Sequence, residues 1–176
     1  MWWYDPLRRI GLRGAFVLLA LLTTGCGFQP LYGRSDAGVR PQDRLASVRI
    51  QPLRDRVGQK MHNLLRDRLN PRGQPTKPTY SLEIRLTETL QELGIRKDET
   101  ATRANLILQA NFLLKDAATD DDLFKGRSRS VNSYNILESQ FATQFSESDA
   151  RDRALREIAD EIRNRLAVYF ARVAQN

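Results

Sequence analysis

Tyr80-Ser81-Leu82-Glu83-Ile84-Arg85-Leu86-Thr87 is the stretch on which the fold turns. Tyr80, Leu82, Ile84 and Leu86 alternate with Ser81, Glu83, Arg85 and Thr87, and successive side chains of a strand point to opposite faces. The segment is expected as a half-buried strand, apolar on one side and polar on the other, with Leu93 as its furthest limit. Gly94-Ile95-Arg96-Lys97-Asp98 reads as a turn. Thr102 to Lys115 then repeats the alternation, with Ala104, Leu106, Leu108, Ala110, Phe112 and Leu114 facing one way. Ala117 to Asp122 is a polar, acidic turn. A weaker strand follows from Leu123 to Tyr134. Phe124 and Tyr134 share a face with Gly126, Ser128, Ser130 and Asn132 between them, and Arg127 and Arg129 share the other face with Val131. Three consecutive strands with short connections predict an antiparallel meander.

Before the meander, Leu45 to Gln51 is a short strand candidate with Val48 and Ile50 on one face, ended by Pro52. Val57, Met61, Leu64 and Leu65 recur at helical spacing and predict a helix from about Leu53 or Asp55 to Leu69. Arg68 falls on the same stripe, where its stem lies on apolar surface and its charge reaches water. Asn70-Pro71-Arg72-Gly73 stops the helix. After the meander, Ser146 and Asp149 fit a capping box, and Phe145 is placed to staple onto Ala150. Leu155, Ile158, Ala159, Ile162, Leu166, Tyr169, Phe170 and Val173 continue as one apolar stripe. Asp149 with Arg153, Asp152 with Arg156 and Glu161 with Arg165 stand four apart, acid first, a spacing that favours the helix. The order is β-α-β-β-β-α. The expected fold is α+β and sandwich-like: a mixed or mostly antiparallel sheet of about four strands, with both helices on its apolar face and the other face left polar. A parallel pairing of the first two strands makes their connection a right-handed crossover.

The chain has 176 residues, 28 Lys+Arg against 21 Asp+Glu, and one cysteine, so no internal disulfide forms. Cys26 follows Arg8, Arg9 and Arg13, an uncharged run from Gly14, and Leu21-Leu22-Thr23-Thr24-Gly25. That is the layout of a secretory signal, and a cysteine at its cleavage point is the mark of a bacterial lipoprotein. The apolar part, Ala15 to Leu22, is too short for the roughly 20 residues of a spanning helix. Two details depart from a standard lipoprotein signal. Thr23 stands three residues before the cysteine, where a large apolar residue is usual, and Arg8-Arg9 resembles a twin-arginine signal with poor flanks. The organisation expected is a signal peptide over 1–25, a lipidated tether over 26–44 and one globular domain over 45–174. Gly27 to Gly33 is apolar for a linker and either packs on the domain or lies near the lipid surface. Without the signal the net charge is about +5, from the formal +7 of the whole chain; it is scattered and permits an anionic partner without naming one.

Residues able to attack, exchange protons or hold a metal are scarce. His62 is the single histidine, at the border of the first helix's apolar stripe, and reads as a core-boundary residue. Asp120-Asp121-Asp122 lacks the rhythm and glycine of a calcium loop and reads as a solvated turn. Neither a phosphate loop nor a dinucleotide fingerprint is present. The chain is expected not to be an enzyme and to carry no cofactor. The basic residues are the better candidates: Arg96, Lys97 and Arg103 flank the turn between the second and third strands, Arg127 and Arg129 stand on the fourth, and Arg85 points to the polar side of the second. Together they form either a cationic surface for phosphates and carboxylates or ordinary charge balanced by Glu83, Glu88, Asp98 and Glu99. Export argues against nucleic acid as the ligand.

Cys26-Gly27-Phe28-Gln29-Pro30-Leu31-Tyr32-Gly33 resembles the start of the mature LptE family of lipopolysaccharide-assembly lipoproteins, in its alphaproteobacterial form. Arg127-Ser128-Arg129-Ser130-Val131-Asn132-Ser133-Tyr134-Asn135, Ala154-Leu155-Arg156-Glu157-Ile158-Ala159 and Leu166-Ala167-Val168-Tyr169-Phe170 are similar to the same family. The resemblance covers Cys26 to about Val173. It implies a sheet with two helices, anchored through Cys26 to the periplasmic side of the outer membrane. It also implies a seat in the lumen of an LptD-like β-barrel, where the protein plugs the barrel, assists its assembly and binds lipopolysaccharide. Arg96, Lys97, Arg103, Arg127 and Arg129 are then the candidate lipopolysaccharide-binding residues, with Ser128, Ser130 and Asn132 on the strand's other side suited to sugar hydroxyls. The alternative is a lipid-anchored structural envelope protein with no lipopolysaccharide ligand.

Overall fold

The computed structural model describes residues 41–95 and 101–174. The chain divides into two units, Met1–Pro30 and Leu31–Asn176, and every described residue belongs to the second. Cys26, Arg96, Lys97 and the tether up to residue 40 lie outside the described residues.

The elements are α1 (Pro41–Ala46), β1 (Val48–Ile50), α2 (Asp55–Leu69), β2 (Tyr80–Ile95), β3 (Ala101–Asp116), β4 (Asp122–Asn135) and α3 (Gln140–Val173). The four strands form one sheet in the order β1-β2-β3-β4. β1 pairs parallel to β2, Val48 opposite Tyr80, and the rest is antiparallel. This is the expected mixed sheet with helices packed on one face, with a short helix added at its start. Pro41 occupies the first helical position, where its missing N–H costs nothing. Leu45, expected in the first strand, is instead buried from α1.

The even-numbered residues of β3 form the floor of the core. Leu106, Leu108, Ala110 and Leu114 are fully buried, as are Leu155, Ile158, Ile162, Leu166 and Phe170 of α3 above them. α2 contributes Met61, Leu65 and Leu69. It runs parallel to α3, because Lys60 pairs with Asp152 and Arg68 with Asp160. Asp152 therefore reaches across to the other helix and not to Arg156 along its own, and the Arg68 guanidinium is claimed by a carboxylate. Asn70 ends α2 and donates through Nδ2 to the carbonyls of Ala46 and Val48, both at 3.1 Å, which ties the helix end to β1.

Two residues are held by their local geometry. Asp55 opens α2 at φ 68° and its Oδ1 accepts the Gly58 N–H at 2.7 Å, filling one unpaired donor of the first turn. Gly126 lies under the Phe112 ring; a Cβ there would sit 2.2 Å from that ring.

α3 starts earlier than its capping pattern predicts. Its N-cap is Ser139, whose Oγ accepts the Ala142 N–H, and Ser146 lies within the helix donating to the Ala142 carbonyl. Phe145 forms no staple: it is 72% exposed and Phe141 79%. At 34 residues the helix is about 51 Å long, matching the β2–β3 hairpin whose strands run about 53 Å. No described helix is long and apolar enough to cross a membrane.

Candidate functional site: the open face of the sheet

Because the even-numbered strand residues turn toward the helices, the odd-numbered ones form the opposite face, and no described element covers it. Cross-strand register puts Arg85, Asn111 and Arg127 in one row and Thr87, Gln109 and Arg129 in the next. Thr89, Ile107 and Val131 make an apolar row beyond them, followed by Gln91, Asn105 and Ser133. Arg49, Lys115 and Lys125 belong to the same face, where the carboxylates are Glu83 and, at the irregular end of β4, Asp122. The positive charge that looks scattered along the chain is thus concentrated on one surface.

Its cations divide into two groups. Lys115 pairs with Glu83 at 3.4 Å and Asp120 at 3.1 Å, and Lys125 pairs with Asp122 at 2.8 Å. The Asp120 bond, together with Glu83, raises the Lys115 pKa. The Lys125 ammonium lowers that of Asp122. The acidic turn therefore neutralises lysines at one end of the sheet. Farther along, no described carboxylate pairs with Arg85, Arg127 or Arg129. Arg127 Nε donates to Asn111 Oδ1 at 3.2 Å, which holds the guanidinium stem and leaves its two terminal nitrogens for an anion. Arg85 and Arg127 stand two strand spacings apart, about 10 Å.

Of the five basic residues expected from sequence, Arg127 and Arg129 come together as neighbours on β4. Arg103 shares their face but lies six residues along β3 from Gln109, the partner of Arg129, a separation of about 20 Å. Arg103 belongs to the hairpin end of the sheet, and Arg96 and Lys97 lie outside the described residues. Arg85, on β2 across the intervening β3, is the cation that register adds to the Arg127–Arg129 pair.

Ser128, Ser130 and Asn132 are not available to a ligand. They face α3 and are 1%, 5% and 9% exposed. Ser128 donates to Glu161, Ser130 donates to Glu157 at 2.5 Å, and Arg153 donates to Asn132 Oδ1 at 3.2 Å. The registers match because four helical residues rise about 6 Å and two strand residues about 6.6 Å. The sequence signal was the pair Glu157 and Glu161, four apart on α3, opposite small polar residues two apart on β4. His62 sits half-buried with Nε2 at 3.2 Å from Gln74 Nε2, away from this face. Among the described residues no cluster of His, Cys, Asp and Glu has the makings of a metal site.

These features define a two-layer α+β domain whose sheet presents a cationic face that no described element covers. The LptE lipopolysaccharide-assembly family profile matches residues 45–166. An uncharacterized protein of Rickettsia prowazekii is 27% identical over 156 residues, covering 89% of this chain and 96% of that protein. A crystal structure from Caulobacter crescentus superposes with a TM-score of 0.62 at 22% identity, covering 74% of this chain and 96% of that one. Rare lipoprotein B from Shewanella oneidensis superposes with a TM-score of 0.56 at 11% identity, over 72% of this chain and 96% of that one. The chain belongs to the LptE lipopolysaccharide-assembly family. Membership makes it a non-catalytic outer-membrane lipoprotein with a role in lipopolysaccharide assembly.

Proposed function

We propose that this chain plugs and helps assemble an LptD-like outer-membrane β-barrel translocon, and that its open sheet face binds lipopolysaccharide during insertion into the outer leaflet. Cys26 carries the lipid anchor, and the domain acts from the periplasmic side. The observation that supports this reading is the group Arg85, Arg127 and Arg129, unpaired with any described carboxylate, on a sheet face that no described element covers. Guanidinium groups offer forked donors to phosphate oxygens. Gln109, Asn105 and Ser133 on the same face suit sugar hydroxyls, and Ile107 and Val131 supply an apolar row between them. Arg103 extends the cationic field toward the hairpin end of the sheet. A polar sheet face also suits the lumen of a barrel, whose interior is polar.

The test replaces Arg85, Arg96, Lys97, Arg103, Arg127 and Arg129 with Gln in the full chain and measures lipopolysaccharide binding and barrel co-purification. The expected result is binding weaker by about tenfold or more, most clearly at low salt, with an unchanged circular-dichroism spectrum. Unchanged binding in the folded variant removes the lipopolysaccharide-ligand reading and leaves the lipid-anchored structural protein.

A further inference from the structure

β4 closes the sheet on one side, and among the described residues no strand pairs with its outer edge. Its fourteen residues present an uncapped row of backbone donors and acceptors. Two further features lie along that edge, one on each side of the sheet. On the open face stand Arg127 and Arg129, two apart and exposed. On the helix face a groove of about 710 Å³ is lined by Phe124 of β4 and by the flank of α3 from Glu157 to Arg172. Its apolar wall is Phe124, Tyr169 and Val168; the first two are stacked at 5.1 Å and Val168 is 38% exposed. Much of its charged rim is already engaged: Asp160 by Arg68, and Glu161 by Arg165 and Ser128.

We infer that the outer edge of β4 accepts an extended segment of a partner protein as a fifth strand, one that carries acidic and apolar side chains at alternate positions. The alternation follows from the period of two: one set of the incoming side chains faces Arg127 and Arg129, and the other enters the groove against Phe124, Val168 and Tyr169. Charge decides between occupants. In a pairing of β4 with a second copy of itself, Lys125, Arg127 and Arg129 would be brought against their own kind, and like charges across a strand pair are destabilising. A strand bearing carboxylates at every second residue reverses that sign.

The probe is a short capped peptide alternating valine and aspartate, added to the full chain in mild detergent. It contains neither phosphate nor acyl chain, so its result stands apart from the lipopolysaccharide reading. Amide hydrogen exchange is expected to slow along β4 from Leu123 to Ser133. A valine–lysine peptide is expected to bind at least about tenfold more weakly. The double variant Arg127→Glu, Arg129→Glu should invert that preference, and both sites are exposed enough for it to fold. Several results overturn the inference: equal binding of the two peptides, equal binding of a peptide with its valines and aspartates in separate blocks, or protection away from β4. Protection of β4 in concentrated protein without peptide would assign the edge to a second copy instead, and protection by anionic vesicles alone would assign it to lipid.

Discussion

At the scale of single residues, Gly126 shows how a weak strand is held. β4 has few large apolar side chains, and at the Phe112–Gly126 pair the glycine has none. The Phe112 ring from β3 fills that space, is itself 2% exposed, and packs on Phe124 at 5.9 Å. A methyl group at position 126 has nowhere to go, because the ring it meets is enclosed by core. Gly126→Ala is therefore expected to destabilise the domain by about 1–3 kcal/mol, read as a lower urea midpoint with an unchanged slope. Arg151 is a second single residue with a long reach. It donates to both oxygens of Glu88 at 2.7 Å and to Glu147 at 2.5 Å, joining α3 to β2, and these bonds raise its pKa.

At the scale of elements, α2 and α3 are joined by apolar contact and by two ion pairs. The Arg68 pair has a pH consequence. Arg68 donates through Nε and a terminal nitrogen to both oxygens of Asp160, and holds that carboxyl below its ordinary range. A lowered folded-state pKa adds stability above the unfolded value, near 3.9, and that contribution is lost as pH falls through the lower folded value. Asp160 is 58% exposed, so solvent screening keeps the contribution small. Asp160→Asn is expected to cost about 0.2–1 kcal/mol at pH 7, with the difference from the parent chain closing as the pH is taken below the carboxylate range. Thermal melts of both proteins across that range check it; a gap that persists in acid would mean the loss is one of packing. The seam between α3 and β4 rests on a different balance. Ser128, Ser130 and Asn132 place polar groups where the rest of the core is apolar, and Glu157, Glu161 and Arg153 satisfy them from the helix flank.

At the scale of the whole molecule, the helices lie on one side of the sheet and the cationic face on the other. A domain arranged in this way has a built-in orientation toward an anionic or polar surface, and a lipid at the end of its tether would hold it near one. Cys26→Ser is accordingly expected to release the chain from outer-membrane fractions into the soluble periplasmic fraction while leaving the melting temperature of the domain unchanged. Immunoblots of the fractions with a melt of the purified variant check both halves. A Cys26→Ser chain that stays with the membrane would shift the burden of attachment to protein contacts.

The β2–β3 hairpin, the buried face of β3 and the course of α2 were legible in the sequence, because their apolar residues recur with the period of one element and a regular element buries whatever its period aligns. The family resemblance was legible too, from the run at Cys26 and the segments around Arg127 and Leu166. The start of α3 was not, since Ser139 and Ser146 offer similar local caps and only the chain's path past Leu137 and Thr143, whose side-chain oxygen bonds both backbone groups of Leu137, selects the first. The partner of Asp152 was equally hidden, because Lys60 is distant in sequence and comes near only when α2 packs parallel to α3. Register decided the rest. It added Arg85 to Arg127 and Arg129, moved Arg103 well away from them and turned Ser128, Ser130 and Asn132 inward. A period of two assigns residues to faces, but which face meets the helices, and which residues of three strands stand side by side, is settled only when the strands pair and the helices choose a side.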